Sequence, residues 1–248
     1  MRRMNALGWT ALVASVAWGC AGDAPEPAQS TTGTAQVLLN QPRAEDVSTM
    51  LDTTLLQSAE PTLSVDVLGV NMGSADAPVK VIEFVDFGCG FCRQFQIETF
   101  PNIRSEFIDT NMIEWKFMPF ITGMFPNSPA VTMAAECALA EDPRVFATFS
   151  GALWERQREW KGADDPAAVA RDWMLQLGVD PDSYDSCLQD DLRRQRVASA
   201  TALASQLGVR STPTFWIVGA GPIQGALPLD AFRQIFSEIH RQLTEPAA

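Results

Sequence analysis

The chain has 248 residues, 46% of them hydrophobic, and its 30 acidic against 18 basic side chains give a net charge of −12. That length can bury the core of one sizeable domain, or of one domain with a large insertion. The acidic balance repels phosphate backbones and anionic headgroups, which argues against nucleic acid or charged lipid as an electrostatic partner.

Arg2 and Arg3 precede an apolar run at residues 6–19, too short to span a bilayer comfortably, and Asp23 is the first acid of the chain. This predicts an export signal over residues 1–19. Ala17-Trp18-Gly19-Cys20 resembles the lipobox of bacterial lipoproteins, in which the cysteine is acylated and becomes the first residue. Ala17 and Trp18 depart from the usual Leu and small residue there, and an ordinary secreted protein is the alternative. The resemblance implies a bacterial periplasm or cell envelope location, with a lipid anchor through Cys20. Residues 20–61 then read as the lipobox cysteine and a flexible tether rich in Ala, Pro, Ser, Thr and Gly. Within it, residues 44–57 space Val47, Met50, Leu51, Leu55 and Leu56 as a short amphipathic helix would, or as a partly ordered linker.

The globular part is expected from residue 62. SVDVLGV (64–70) reads as an edge strand, and VKVIEFVDF (79–87) is apolar enough for a strand buried on both faces. A helix from about Phe91 to Asp109, kinked at Pro101, leads to a parallel strand at 112–118. Helical spacing fills residues 128–207, with breaks at Gly162, Pro166, Gly178, Pro181 and Gly208. TFWIV (214–218) and PIQGA (222–226) form a hairpin through Gly219-Ala220-Gly221. Residues 229–243 form a closing helix with Phe232, Ile235, Phe236 and Ile239 on one face.

The chemistry is concentrated in Cys89-Gly90-Phe91-Cys92, at the junction of the buried strand and the helix. Unpaired N–H groups at a helix N-terminus stabilise a thiolate, so Cys89 is expected as nucleophile and the more buried Cys92, one turn on, as its resolving partner. Zinc would need four ligands, and the chain has one histidine and no second Cys-x-x-Cys, so no metal or other cofactor is expected. A purely structural disulfide within the four residues is the remaining alternative. Glu83 lies within the apolar strand, where period-two alternation is expected to bury it beneath the pair, the alternative being an edge-strand Glu facing solvent. A buried carboxylate has a raised pKa and can exchange a proton with the resolving thiol, directly or through water. Thr212-Pro213 stands before the penultimate strand; it could be an ordinary trans turn, but a cis bond that leaves backbone groups free beside the site is the favoured reading.

These segments, with MPF (118–120), AVTMAAECALAEDPRVFATFSGALW (130–154) and GVRSTPTFWI (208–217), resemble the DsbA-like branch of the thioredoxin superfamily over residues 62–244. The resemblance implies an α/β thioredoxin fold at 62–127 and 208–244 with a helical insertion at 128–207. It maps the exposed nucleophile to Cys89, the second cysteine to Cys92, the buried acid to Glu83 and the cis-proline to Pro213. Gly90, Phe91, Thr212 and Pro213 would then line the peptide-binding surface. It further implies thiol–disulfide exchange on unfolded or partly folded exported proteins, together with a redox partner protein that the sequence does not name. Gly90-Phe91 replaces the Pro-His of strong oxidases. That dipeptide and Thr212 are similar to those of disulfide isomerases such as DsbC, yet residues 35–60 are too short for a DsbC-type dimerisation domain. Dithiol oxidase is the first reading, isomerase or reductase the second, and a non-catalytic peptide-binding lipoprotein the third.

Phe87, Phe91, Phe120, Met124 and Phe125 are the aromatic and apolar residues nearest the pair. They would line a substrate groove or fill the core, Phe91 and Met124 being best suited to the groove. Trp154, Trp160 and Trp173 read as insertion core, and His240 as a surface residue without a role. Some DsbA-like proteins carry a disulfide in the insertion. With Cys20 acylated and Cys89 paired to Cys92, Cys137 and Cys187 are left as its candidates, two separate buried thiols being the alternative.

Overall fold

The computed structural model describes residues 63–245. The expected signal, Cys20 and the tether lie outside the described residues. Five strands form one sheet: β1 (Val70–Met72), β2 (Val79–Val85), β3 (Ile113–Pro119), β4 (Thr214–Ile217) and β5 (Gly221–Gln224), in the order β1-β3-β2-β4-β5. β2 runs parallel to β3 and antiparallel to β4, and both edge strands pair antiparallel.

The near-continuous apolar run of β2 is explained by cover on both faces. Val79 and Val81 pack with Phe95, Ile103, Trp115, Phe215, Phe232 and Phe236, whereas Ile82 and Phe84 pack with Met118, Ala200, Ala204 and Val209. Burying a Phe or Ile side chain contributes about 1.5–3 kcal/mol, so β2 anchors the domain from both sides.

The edge strand starts later than expected. Ser64 caps a 3-10 turn at Val65–Val67, its Oγ accepting from the Asp66 N–H at 3.4 Å, and extended pairing begins only at Val70. Local side-chain capping competes with ladder bonds at this point. Gly69, at φ +62°, packs so close to β3 that a Cβ would sit 2.2 Å from the Phe117 carbonyl oxygen.

After β2 the chain turns helical at α1 (Gly90–Gln94), widens into a π-helical turn at Phe95–Thr99, returns to α2 (Phe100–Ile103) and widens again at Arg104–Ile108. The expected kink at Pro101 is thus spread over two π turns. In the first, the Phe100 N–H reaches back to the Phe95 carbonyl, which makes room for the pyrrolidine ring and its missing donor.

Six helices stand between β3 and β4: α3 (Ser128–Glu141), α4 (Pro143–Glu155), α5 (Gln157–Lys161), α6 (Pro166–Gln176), α7 (Pro181–Leu188) and α8 (Asp191–Gln206). Asp142-Pro143, Asp165-Pro166 and Asp180-Pro181 start three of them. Each Asp side chain accepts a first-turn N–H, and each Pro supplies a fixed φ where no donor is needed. Trp154, Trp160, Trp173, Phe149 and Met174 fill the core of this region. α8 also reaches the sheet, where Ala200 and Ala204 pack against Ile82 and Phe84. α9 (Leu229–Thr244) closes the opposite face and buries Phe232 and Phe236 completely. No helix among the described residues is long and apolar enough to cross a membrane.

Candidate active site

Cys89 is the N-cap of α1. Its backbone is extended (φ −75°, ψ 125°), and its Sγ accepts the Cys92 N–H at 3.4 Å. From the sheet side, the loop before β4 brings the cis Thr212–Pro213 bond to the same sulfur, and the Cys89 thiol donates to the Thr212 carbonyl at 3.2 Å. Cys89 is 5% exposed and Cys92 fully buried, and both are free thiols. Both belong to the apolar cluster of the insertion, so the pair sits on the seam between sheet and helices.

The two thiols are driven in opposite directions. A hydrogen bond from the Cys92 side chain brings Cys89 from the ordinary cysteine value near 9 down to about 6, against the opposing effect of burial. The Thr212 side chain and the N–H groups of Cys92 and Phe91 act in the same direction. Cys92 is pushed well above 9, first by burial and then by the bond to Cys89 and its charge. The Thr212 hydroxyl oxygen is buried without a hydrogen-bond partner, which leaves its proton free for a neighbouring thiolate.

Glu83 is fully buried on β2, paired across the sheet with Phe117 and Phe215. Its carboxylate accepts from Gln96 Nε2 at 2.8 and 2.9 Å and from Trp115 Nε1 at 3.1 Å. Burial raises it from the ordinary glutamate value near 4.5 to about 7, although both donors favour the charged form. Neither thiol is a hydrogen-bond partner of Glu83. A proton passing between Glu83 and Cys92 therefore needs an intermediary such as water.

Three participants are absent from the sequence reading. Asp86 is buried, and its Oδ1 accepts the Gly88 N–H at 2.9 Å together with the Ser128 hydroxyl. Its Oδ2 accepts the Thr122 N–H at 3.0 Å and hydroxyl at 2.9 Å. It thereby ties the end of β2 to the loop after β3 and to the start of α3. Its bond to Gly88 two residues on was foreshadowed by Asp-x-Gly after a strand. Gln157 and Lys161, on α5, reach the same loop from the insertion. Gln157 Nε2 donates to the Phe87 and Cys89 carbonyls at 2.7 and 2.9 Å, and Lys161 Nζ donates to the Gly88 carbonyl at 2.6 Å. No local sequence signal marks either residue.

An open groove of about 540 Å³ lies beside the thiols, lined by Cys89, Gly90, Phe91, Gln94, Met124, Phe125, Ser211 and Thr212. Phe91 and Met124 are 67% and 62% exposed on its rim. Phe87 and Phe120 are core instead: Phe87 stacks on Trp154 with ring centroids 4.6 Å apart. Phe125 packs over Gly88, where a Cβ would meet its ring at 2.4 Å. In the insertion, Cys137 on α3 and Cys187 on α7 are joined as a disulfide with Cα atoms 5.8 Å apart. Among the described residues no group of three or more His, Cys, Asp and Glu side chains could hold a metal ion.

A helix-capping thiol facing a cis-proline loop, on a sheet interrupted by helices, is the arrangement of the thiol–disulfide oxidoreductases. The family model described as thioredoxin matches residues 66–236, well over half the chain, and the protein belongs to that family. It is 28% identical over 152 residues to disulfide bond formation protein D of Bacillus subtilis, a match covering 59% of this chain and 66% of that one. The chain thus spans just under two thirds of that relative's length. Among solved structures it is similar in fold to α-DsbA1 of Wolbachia pipientis, with a TM-score of 0.62, 20% identity, and coverage of 71% of this chain and 95% of that one. Oxidised BdbD of Bacillus subtilis gives a TM-score of 0.57 at 24% identity, with 69% and 92% covered.

Proposed function

We propose that this protein oxidises dithiols in exported polypeptides, with Cys89 as the exchanging sulfur and Cys92 as its internal partner. The observation that carries the reading is Cys89 Sγ at the α1 N-terminus, 3.4 Å from the Cys92 N–H and 3.2 Å from the Thr212 carbonyl.

In the oxidised enzyme a substrate thiolate attacks Cys89 Sγ, the accessible sulfur. The Cys89–Cys92 bond breaks, a substrate–Cys89 disulfide forms, and Cys92 leaves and takes up a proton. A second substrate thiolate attacks the substrate sulfur of that mixed disulfide and expels Cys89 as a thiolate. The substrate has lost two electrons to the enzyme pair, and a redox partner protein must remove them. The low value of Cys89 makes it a good leaving group, and the high value of Cys92 makes it a ready proton acceptor. Glu83, near 7, supplies or withdraws that proton through water.

The groove between Phe91 and Met124, lined also by Gly90, Ser211 and Thr212, suits extended apolar polypeptide with little sequence preference. Without an imidazole between the cysteines, the Cys89 thiolate lacks a charge partner, so the potential is expected on the order of −150 to −230 mV. Location in the bacterial periplasm or envelope and anchoring through acylated Cys20 belong to the same proposal. Mass spectrometry of membrane-expressed protein should find acylated Cys20 as the first residue, and an unmodified chain starting elsewhere would remove the anchor. Oxidation of a dithiol peptide and reduction of insulin, with wild type and Cys89→Ser, test the activity. Faster insulin reduction than peptide oxidation in a glutathione buffer would turn the reading to isomerase or reductase. Equal behaviour of wild type and variant would reduce the protein to a peptide-binding module.

A further inference from the structure

We propose that Gln157 and Lys161, on the short helix α5, are positioning residues that hold the Cys89 loop in register with the α1 N-terminus and so set how readily Cys89 reacts. The proposal rests on the reading of Cys89 as the exchanging sulfur.

Three successive carbonyls lead from β2 into α1, those of Phe87, Gly88 and Cys89, and α5 serves all three. The buried Gln157 amide bridges the first and third, and the Lys161 ammonium takes the second. Neither side chain hydrogen-bonds the sulfur. Their effect runs through the backbone: the Cys92 N–H points at Sγ only while the Cys89 peptide plane keeps its extended N-cap orientation. A carbonyl oxygen is also the negative end of a dipole. Left unbonded beside a thiolate, it would oppose ionisation, whereas a donor on its far side draws that charge away.

Lys161 has a second hold on the loop. Its ammonium lies 4.8 Å from the Phe125 ring centroid, and that ring occupies the space left by the missing Gly88 side chain. The loop is therefore gripped by backbone bonds on one side and by a ring on the other. The anchoring helix is itself tied down. Asn127 Nδ2 donates to the Lys161 carbonyl at 3.1 Å and to the Ala163 carbonyl at 3.1 Å, and Trp160 Nε1 donates to the Leu153 carbonyl at 2.9 Å.

The test uses the full reduced protein and four variants: Gln157→Met, which keeps length and loses the donor, Gln157→Asn, Lys161→Met and Lys161→Arg. The rate of Cys89 alkylation is followed against pH, together with the equilibrium with glutathione and the thermal midpoint. In both Met variants the alkylation profile should move to higher pH. Alkylation at pH 6 should slow roughly two- to tenfold, the effect of one net hydrogen bond, and the glutathione equilibrium should shift toward the protein disulfide. Lys161→Arg, with charge and donors kept, should restore the wild-type profile, and Gln157→Asn, one methylene short of the carbonyls, should not. Lys161 is exposed, so its Met variant is expected to fold and decides the matter even if Gln157→Met does not. Met-variant profiles superimposing on wild type would overturn the proposal whatever the thermal midpoints do. Wild-type turnover is measured on the same samples. An inactive wild type would sink the proposed function, whereas an active one with unchanged Met variants would sink the positioning role alone.

Discussion

The sheet domain and the helical insertion meet Cys89 from opposite sides and touch different parts of it. The sheet side reaches the sulfur: the Thr212 carbonyl is 3.2 Å away, and its hydroxyl is buried and unpartnered. The insertion packs against the pair within its apolar cluster, but its hydrogen bonds go to the backbone, through the carbonyls of Phe87, Gly88 and Cys89. One wall can therefore tune the thiol by direct contact, while the other acts by fixing the loop that carries it. A substitution on either wall can change the same observable for different reasons, and a pH profile beside a stability measurement tells them apart.

The largest effect expected is from removing the sulfur on which both walls converge. Cys89→Ser should lower dithiol oxidation by at least about a thousandfold. In the reduced wild type, Cys89 should alkylate with a midpoint near pH 6 while Cys92 stays unmodified up to pH 9. Faster labelling of Cys92 would reverse the roles.

Next comes the brace inside the insertion. Replacing Cys137 and Cys187 together by Ala opens a link between residues 50 apart in sequence. Chemical denaturation should show a loss of about 2–4 kcal/mol. If the insertion acts on the thiol only through the docked loop, the Cys89 alkylation profile of the surviving folded protein should not move. A moved profile would mean that the brace also shapes the site.

Glu83→Gln probes the sheet side and reverses the sign. The folded value of Glu83, about 7, lies above its ordinary value of 4.5, so the stability it contributes is complete below pH 4.5 and is lost as pH rises through 7. The variant escapes that loss. It should be more stable than wild type at pH 8 by on the order of 3 kcal/mol, with the difference fading below pH 4.5. Its mixed disulfides should resolve more slowly. Unchanged stability at pH 8 would show that Glu83 is already charged there at no cost.

The smallest effect is from Thr212→Val, which keeps the shape and removes the hydroxyl. The oxygen has no partner to lose, so stability should change little, while Cys89 alkylation at pH 6 should slow by a factor of roughly two to five. A large stability loss with an unmoved profile would make Thr212 a packing residue.

Much of the sheet side was legible from local pattern, and much of the insertion side was not. The continuous apolar run of β2, the thiol at its end, Thr212-Pro213 before β4 and the alternation placing Glu83 inward are all features of neighbouring residues. They required no knowledge of what packs where. Misreadings on that side arose where a side chain competed with the backbone pattern, as Ser64 does by capping a 3-10 turn in an expected strand. Pro101 likewise widened the helix into π turns where a simple kink was expected. Gln157 and Lys161 are different. On a short helix where Trp160 is the one apolar residue they look like solvated surface, and their partners are carbonyls 68 to 73 positions away. Only tertiary docking creates that contact.

The separation of 50 residues between Cys137 and Cys187 has a consequence for how the native pairing arises in an oxidising environment. Cys92 and Cys137 are 45 residues apart, nearly the same distance along the chain. In an unfolded chain, closing either loop costs the same entropy to within about 0.1 kcal/mol. Chain statistics thus do not favour the native bridge over this wrong partner. What distinguishes them is the order of events. Cys89 and Cys92, three positions apart, meet far more often than any distant pair. A chain that closes this small ring first leaves Cys137 with Cys187 as its one free thiol among the described residues. Closure of Cys89 with Cys92 ahead of the distant pairs would keep both of these thiols from competing for Cys137.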